Sequence, residues 1–246
     1  VASAVEMTVD QFVPLTFVQI QQREDVDVEI ASDGVLSGDA LGTYEGSVGQ
    51  FYVGSESGVQ IELLTAADDA RVKVSGDILN ATRDGSANFD TGDLLLEAGS
   101  GVIGGSGPDE AILLDLQSDA SLTFRAEGEV FLEELDGDMN LETGFSLTGG
   151  IKLVADGGIL DAIGNELVNI KATNLDLRAG GDIGGAGNPL EIETRGDSPA
   201  ASPGLLTATA DGSIYIDEPR PLSALFIRNV HGGGDVELSA WGDIVD

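Results

Sequence analysis

Apolar and polar residues alternate along this chain in runs of three to five, the period of two that belongs to half-buried strands. Val26-Asp27-Val28-Glu29-Ile30, Val72-Lys73-Val74, Leu122-Thr123-Phe124, Ile151-Lys152-Leu153, Leu175-Asp176-Leu177 and Ile214-Tyr215-Ile216 all read this way. Glycine interrupts nearly every window of a dozen residues, and few runs place apolar residues at i, i+3, i+4 and i+7, so helix signals are weak.

Small-residue steps lead into most of these strands: Gly137-Asp138-Met139, Gly149-Gly150-Ile151, Gly212-Ser213-Ile214 and Gly234-Asp235-Val236. The corners recur with a period. Residues 94–105 (LLLEAGSGVIGG) align with 175–186 (LDLRAGGDIGGA) at an offset of 81, and Gly76-Asp77-Ile78-Leu79 meets Gly157-Gly158-Ile159-Leu160 at the same offset. A third copy, 238–244, matches 177–183 at an offset of 61. The two offsets differ by 20, about one coil of a β-solenoid, a fold that gains or loses whole coils. With coils of 20–22 residues the chain would form eleven or twelve, a rod ~50 to 60 Å long at the usual spacing between strands. The expected fold is all-β, a right-handed parallel β-helix, with tandem β-sandwiches as the alternative.

Residues 67–246 carry the repeat, and 1–66 are less regular but continuous with it. Two proline-bearing segments, near 196–204 and 217–233, read as loops leaving the coil because proline removes a ladder donor.

Composition narrows the function. Eleven Lys and Arg stand against 44 Asp and Glu, a net charge of −33, which leaves no basic groove for nucleic acid. There is no Cys and one His, so neither a disulfide scaffold nor a Cys/His zinc site can be built. No stretch approaches the ~18 to 20 apolar residues of a membrane helix. An apolar share of 41% is that of an ordinary globular chain, so the acidity describes a surface and not disorder.

The recurrent G-D-I-x-L and A-G-G-D-I-G steps of residues 94–105, 175–185 and 238–244 resemble the repeats of filamentous haemagglutinin-like adhesins and other very large bacterial surface proteins. The resemblance covers roughly 64–246. It implies a β-helix projecting from a bacterial surface, or secreted, that attaches to other cells, surface glycans or proteins as part of a longer chain. It implies no individual binding residue.

Candidate chemistry is sparse. Gly99-Ser100-Gly101-Val102-Ile103-Gly104 has the spacing of a dinucleotide turn, but Gly105-Ser106-Gly107-Pro108 follows where a helix would have to begin. Gly104-Gly105-Ser106-Gly107-Pro108-Asp109 fits one copy of a calcium nonapeptide, making Asp109 a candidate ligand, although Pro189 stands where its homologue needs the Asp. Asp136, Asp138, Asn140 and Glu142 fall on alternate positions, which on a strand gives four acceptors on one solvent face. Calcium is the cofactor they would take; a solvated acidic face is the simpler account. His231, before three glycines, reads as a loop histidine, and Trp241 as a packing or capping residue.

The reading that follows is a non-enzymatic, extracellular adhesive segment with no nucleic-acid or membrane partner, monomeric in isolation. Two alternatives stay open: a carbohydrate-binding or carbohydrate-cleaving β-helix, for which 44 acids supply close carboxylate pairs by number alone, and a calcium-stiffened adhesin β-sandwich.

Overall fold

A computed structural model describes residues 7–11, 21–22, 28–32, 45–46, 51–55, 58–66, 68–107, 109–194, 204–219, 222–230, 233–241 and 244–245. Within them the chain coils between two parallel sheets and forms no helix. The path of the first sheet runs through Met7–Gln11, Val28–Ser32, Phe51–Ser55, Ala70–Val74, Leu94–Ala98, Ser121–Ala126, Met139–Ser146, Ile170–Lys171, Leu190–Glu193, Ile214–Glu218 and Val236–Ala240. The second runs through Gln21–Gln22, Glu45–Gly46, Leu64–Thr65, Phe89–Thr91, Ile112–Leu116, Val130–Glu134, Ile151–Ala155, Leu175–Ala179, Leu205–Ala210, Leu222–Asn229 and Ile244–Val245. The chain visits the two sheets in strict alternation, so each coil is one strand from each. Coils average about 22 residues. Steps range from 18 residues, where Leu205 pairs with Ser223, to 31, where Leu175 pairs with Leu206.

The architecture is therefore a parallel β-solenoid. All strand pairs among the described residues are parallel, which excludes the tandem β-sandwich: a sandwich is made of antiparallel pairs.

The period-2 pattern does the sorting. In Ala70–Val74 and Leu175–Ala179 the first, third and fifth residues are buried while the second and fourth face outward. Stacking repeats the inward positions in register, so Val53, Val72, Leu96 and Phe124 follow one another down the bore. The next place in that column is Gly144, where a Cβ would lie 2.7 Å from Phe124 Cε1; the glycine makes room for the ring.

The repeat unit is half a coil. Leu94–Ala98 lies in the first sheet, yet its sequence homologue Leu175–Ala179 lies in the second. The 81-residue offset spans seven half-coils and the 61-residue offset five, so their difference of 20 is one whole coil. The gapless alignment fails at the corner. Ile103 bridges Ile78 and Val130 as Ile183 bridges Ile159 and Ile214, an offset of 80, because the second corner is one residue shorter.

Each sheet is also split in two successive coils by inserted loops. Val130–Glu134 is one unbroken strand, but in the coils before it the same path is divided into Ile78–Asn80 plus Phe89–Thr91, and Ile103 plus Ile112–Leu116. The first sheet repeats this: Ile214–Glu218 is unbroken, and the preceding coils are divided into Ile159–Asp161 plus Ile170–Lys171, and Ile183 plus Leu190–Glu193. Loops 81–88 and 104–111 thus stack on one sheet, and loops 162–169 and 184–189 on the other. Arg83 and Gly164, equivalent positions in these loops, share a left-handed backbone with φ of 56° and 64°.

The expected loop at 217–233 is corrected in part. Asp217 and Glu218 end a strand that pairs with Ser239 and Ala240, and Leu222–Asn229 is itself a strand of the second sheet. Pro219 follows the first of these strands and is exposed, and Pro221 lies outside the described residues. His231, Pro199, Pro203 and most of 196–204 lie outside the described residues.

Candidate functional site

The loop necks are closed by buried polar side chains. Asn88 donates from Nδ2 to the Ile61 carbonyl at 2.9 Å and to Asn80 Oδ1 at 3.1 Å, and its Oδ1 accepts the Leu113 amide at 2.9 Å. Asn80 Oδ1 also accepts the Thr82 and Arg83 amides, while its Nδ2 donates to the Ala111 carbonyl of the stacked loop. On the other sheet, Asp161 accepts the Ile163 and Gly164 amides and Asn169 Nδ2. Arg83 reaches across the first pair of loops to Glu110 at 2.9 Å.

The G-D-I corners have an equally local cause. Asp77 accepts the Val102 amide at 2.9 Å, Asp138 accepts Gly158 at 2.6 Å, and Asp182 accepts Ser213 at 2.5 Å, each from the next coil. Glycine is needed beside them, since a Cβ at Gly101, Gly157 or Gly212 would strike the aspartate and the backbone below. Other corners use hydroxyls: Thr148 Oγ1 donates to the Glu127 carbonyl and Thr173 Oγ1 to the Gly149 carbonyl, both at 2.7 Å.

The sequence-derived metal candidates fall into this framework. Asp138 is a corner staple. Asn140 Nδ2 bonds the Ser118 and Ala120 carbonyls at 3.3 and 3.2 Å. Glu142 is the extra residue of a bulge, because Leu122 pairs with Leu141 and Thr123 with Thr143; its Oε2 accepts Thr123 Oγ1 at 3.3 Å. Asp136 is exposed in the corner before them. The even alternation that would put all four acceptors in one row is broken by the bulge. Asp109 is exposed at a loop tip, and the acceptor that organises that loop is Glu110, which takes the Gly107 amide at 2.8 Å. Among the described residues no group of three or more His, Asp or Glu side chains is placed to hold a metal ion. The 99–104 turn leads to a bridge residue and a loop, not to a helix. Trp241 does not pack: it is 82% exposed.

Sequence reasoning missed a pair of buried glutamates. Glu134 and Glu218 are the fifth residues of Val130–Glu134 and Ile214–Glu218, on the inward parity, and each is 1% exposed. Glu134 accepts the Leu116 amide at 3.1 Å and Glu218 the Thr194 amide at 2.8 Å. Burial pushes the Glu134 carboxyl up to about 7 against those hydrogen bonds, with Asp115 and Asp136 adding repulsion. Glu191, raised to about 7 by burial and by Asp161, is a third. Counting parity along V-x-L-x-E and I-x-I-x-E would have found the first two.

The outer face of the second sheet carries a groove of about 460 Å³, within the range of ligand sites. It crosses the rungs, bounded by Gly105 and Ser106 of the stacked loop at one end and by Leu205 and Thr207 at the other. Its floor is a column set by register: Phe131 beside Lys152, Lys152 beside Asp176, Asp176 beside Thr207. Phe131 packs with Ala111 and Leu113 in a small cluster outside the bore, and Lys152 Nζ sits 3.8 Å from its ring centroid. Asp176, the adjacent carboxylate, is turned instead to Arg178, with contacts of 2.8 Å to Nη2 and 3.2 Å to Nε. A second hollow of about 440 Å³ lies at an acidic corner lined by Asp68, Asp69, Asp93 and Asp119.

Fold and surface together define a parallel β-solenoid with an amphipathic groove on its second sheet. No family model, no curated protein and no solved structure matches the chain.

Proposed function

We propose that this chain is a non-enzymatic attachment segment of a large bacterial surface or secreted protein: a rod that spaces and presents its outer faces to other cells or surfaces. The observation that supports this reading is what recurs between half-coils. Asn88 and Asn169, Glu134 and Glu218, and the aspartates of the G-D-I corners bind one coil to the next. Outward positions vary instead: Leu167 stands where Ser86 does 81 residues earlier, and Asp176 where Leu95 does. A sequence that repeats its staples and varies its faces suits a scaffold carrying recognition on its surface. The carboxylate-rich coat keeps such a rod soluble and apart from its neighbours.

The test is direct. Beads carrying the full chain should attach to target cells or polysaccharide-coated surfaces more than beads carrying an unrelated acidic protein of similar charge. Equal attachment would reject the reading.

A further inference from the structure

We infer that the groove on the second sheet binds a uronic-acid polysaccharide, with Lys152 meeting the sugar carboxylate; this rests on the attachment reading and names its ligand. The starting point is the placement of scarce cations. The chain has three lysines. Lys73 is paired with Glu97 at 3.1 Å and Lys171 with Glu193 at 3.4 Å. Lys152 alone of the three has no carboxylate within ion-pair distance among the described residues. Its neighbour Asp176 is taken by Arg178, and the ammonium is held on the Phe131 ring at the centre of the groove. In a chain of net charge −33, a cation kept out of ion pairs and set in a groove is a single positive point within an acidic surface.

The rest of the lining suits hydroxylated rings. Asn174 spends its Oδ1 on the Leu205 amide at 3.0 Å, which leaves its two N–H donors for the groove. Thr207 adds a hydroxyl, and Leu205, 44% exposed, an apolar edge for the carbon face of a sugar. The groove crosses rungs spaced ~4.8 Å apart, so an extended polymer lying in it meets a fresh set of side chains at every rung. The surrounding acids select against dense negative charge. Glu129 lines the same groove, and Glu133 lies two residues from Phe131 on the same strand. A polyphosphate or heavily sulfated chain would be repelled there, whereas a polymer with one carboxylate among many hydroxyls satisfies Lys152 without crowding the acids.

The experiment is calorimetric titration of the full chain with an oligogalacturonate and with its fully methyl-esterified form, in EDTA so that no divalent ion bridges sugar to protein. The acid form should bind at least roughly tenfold more tightly than the ester, the usual scale for losing a charge-assisted hydrogen bond. Lys152→Gln should lose that preference, Lys152→Arg should keep it, and Lys73→Gln should bind like the parent; thermal melts establish that each variant folds. No binding of the acid form, an unchanged Lys152→Gln, or an equal loss in Lys73→Gln overturns the assignment. Beads that attach while the soluble oligogalacturonate does not bind would remove this ligand and leave the attachment reading standing; failure of both removes both.

Discussion

Asn88 and Asn169 stand 81 residues apart, on different sheets, and make the same set of hydrogen bonds. Each receives on Oδ1 the amide of a following strand, Leu113 at 2.9 Å and Glu191 at 3.0 Å. Each donates from Nδ2 to a carbonyl of the preceding coil and to the residue at its own loop neck. Both are fully buried, so what they satisfy has no water to fall back on. Asn88→Ala should destabilise the rod by about 2 kcal/mol, since it strands the buried Leu113 amide, while the Ile61 carbonyl keeps the Ala81 amide. Asn88→Asp should do no better, because an ionised carboxylate would face carbonyl oxygen. Chemical denaturation of the variants measures this, and a loss below about 1 kcal/mol would contradict the role.

The corner glycines divide into two kinds. A Cβ at Gly101 would strike the Gly76 backbone and Asp77, while one at Gly233 meets nothing within 4 Å. Gly101→Ala should therefore cost more than about 2 kcal/mol and Gly233→Ala less than about 0.5, which a pair of thermal melts resolves. Equal effects would mean that the coils are not stacked as closely as described.

Stability should fall as pH rises through neutrality. Burial holds the Glu134 carboxyl at about 7 when folded, against an ordinary value of 4.5 when unfolded, so its contribution is complete below about pH 4.5 and is lost as the pH rises through 7. The effect is about 2 kcal/mol once solvent screening is allowed for, and Glu191 acts in the same direction. Glu134→Gln keeps an oxygen for the Leu116 amide and cannot ionise. It should raise the melting temperature at pH 8, leave it unchanged at pH 4, and flatten the profile between. A variant profile parallel to that of the parent would contradict this.

The coiled architecture could be read from alternation and from the offsets of 81 and 61, because inward parity and corner glycines are local demands that recur with every half-coil. The exchange of sheets between homologous segments could not, since both sheets ask for the same apolar pattern at Leu94–Ala98 and Leu175–Ala179. The inserted loops were hidden for a related reason. Asn80, Asn88, Asp161 and Asn169 look like ordinary loop residues until the strand on either side is seen to continue in the next coil. Of the groove, Lys152 was visible only as an outward position on a strand. Its significance depends on Asp176 turning to Arg178, which sequence spacing does not specify. The acidic residues from Asp136 to Glu142 do not form the even row their spacing suggested, because a bulge and a cross-coil staple intervene.

Cations should act on this rod chiefly by screening. The carboxylates line corners such as Asp68, Asp93 and Asp119, and raising ionic strength should raise the melting temperature as their repulsion is damped. At matched ionic strength calcium and magnesium should act alike. A saturable transition specific to calcium, lost in Asp136→Asn, would restore the 136–142 row as a binding site.

Attachment without turnover is the role proposed for this chain, and both sides of it can be read in one assay. Beads carrying the full chain are placed on a uronic-acid polysaccharide surface, and bound beads and newly released reducing ends are counted together. The expected result is attachment that soluble oligogalacturonate competes away, with reducing ends at the level of bare beads. Reducing ends that rise with time and disappear when a carboxylate pair beside the groove is neutralised would make the chain an enzyme, and would contradict it.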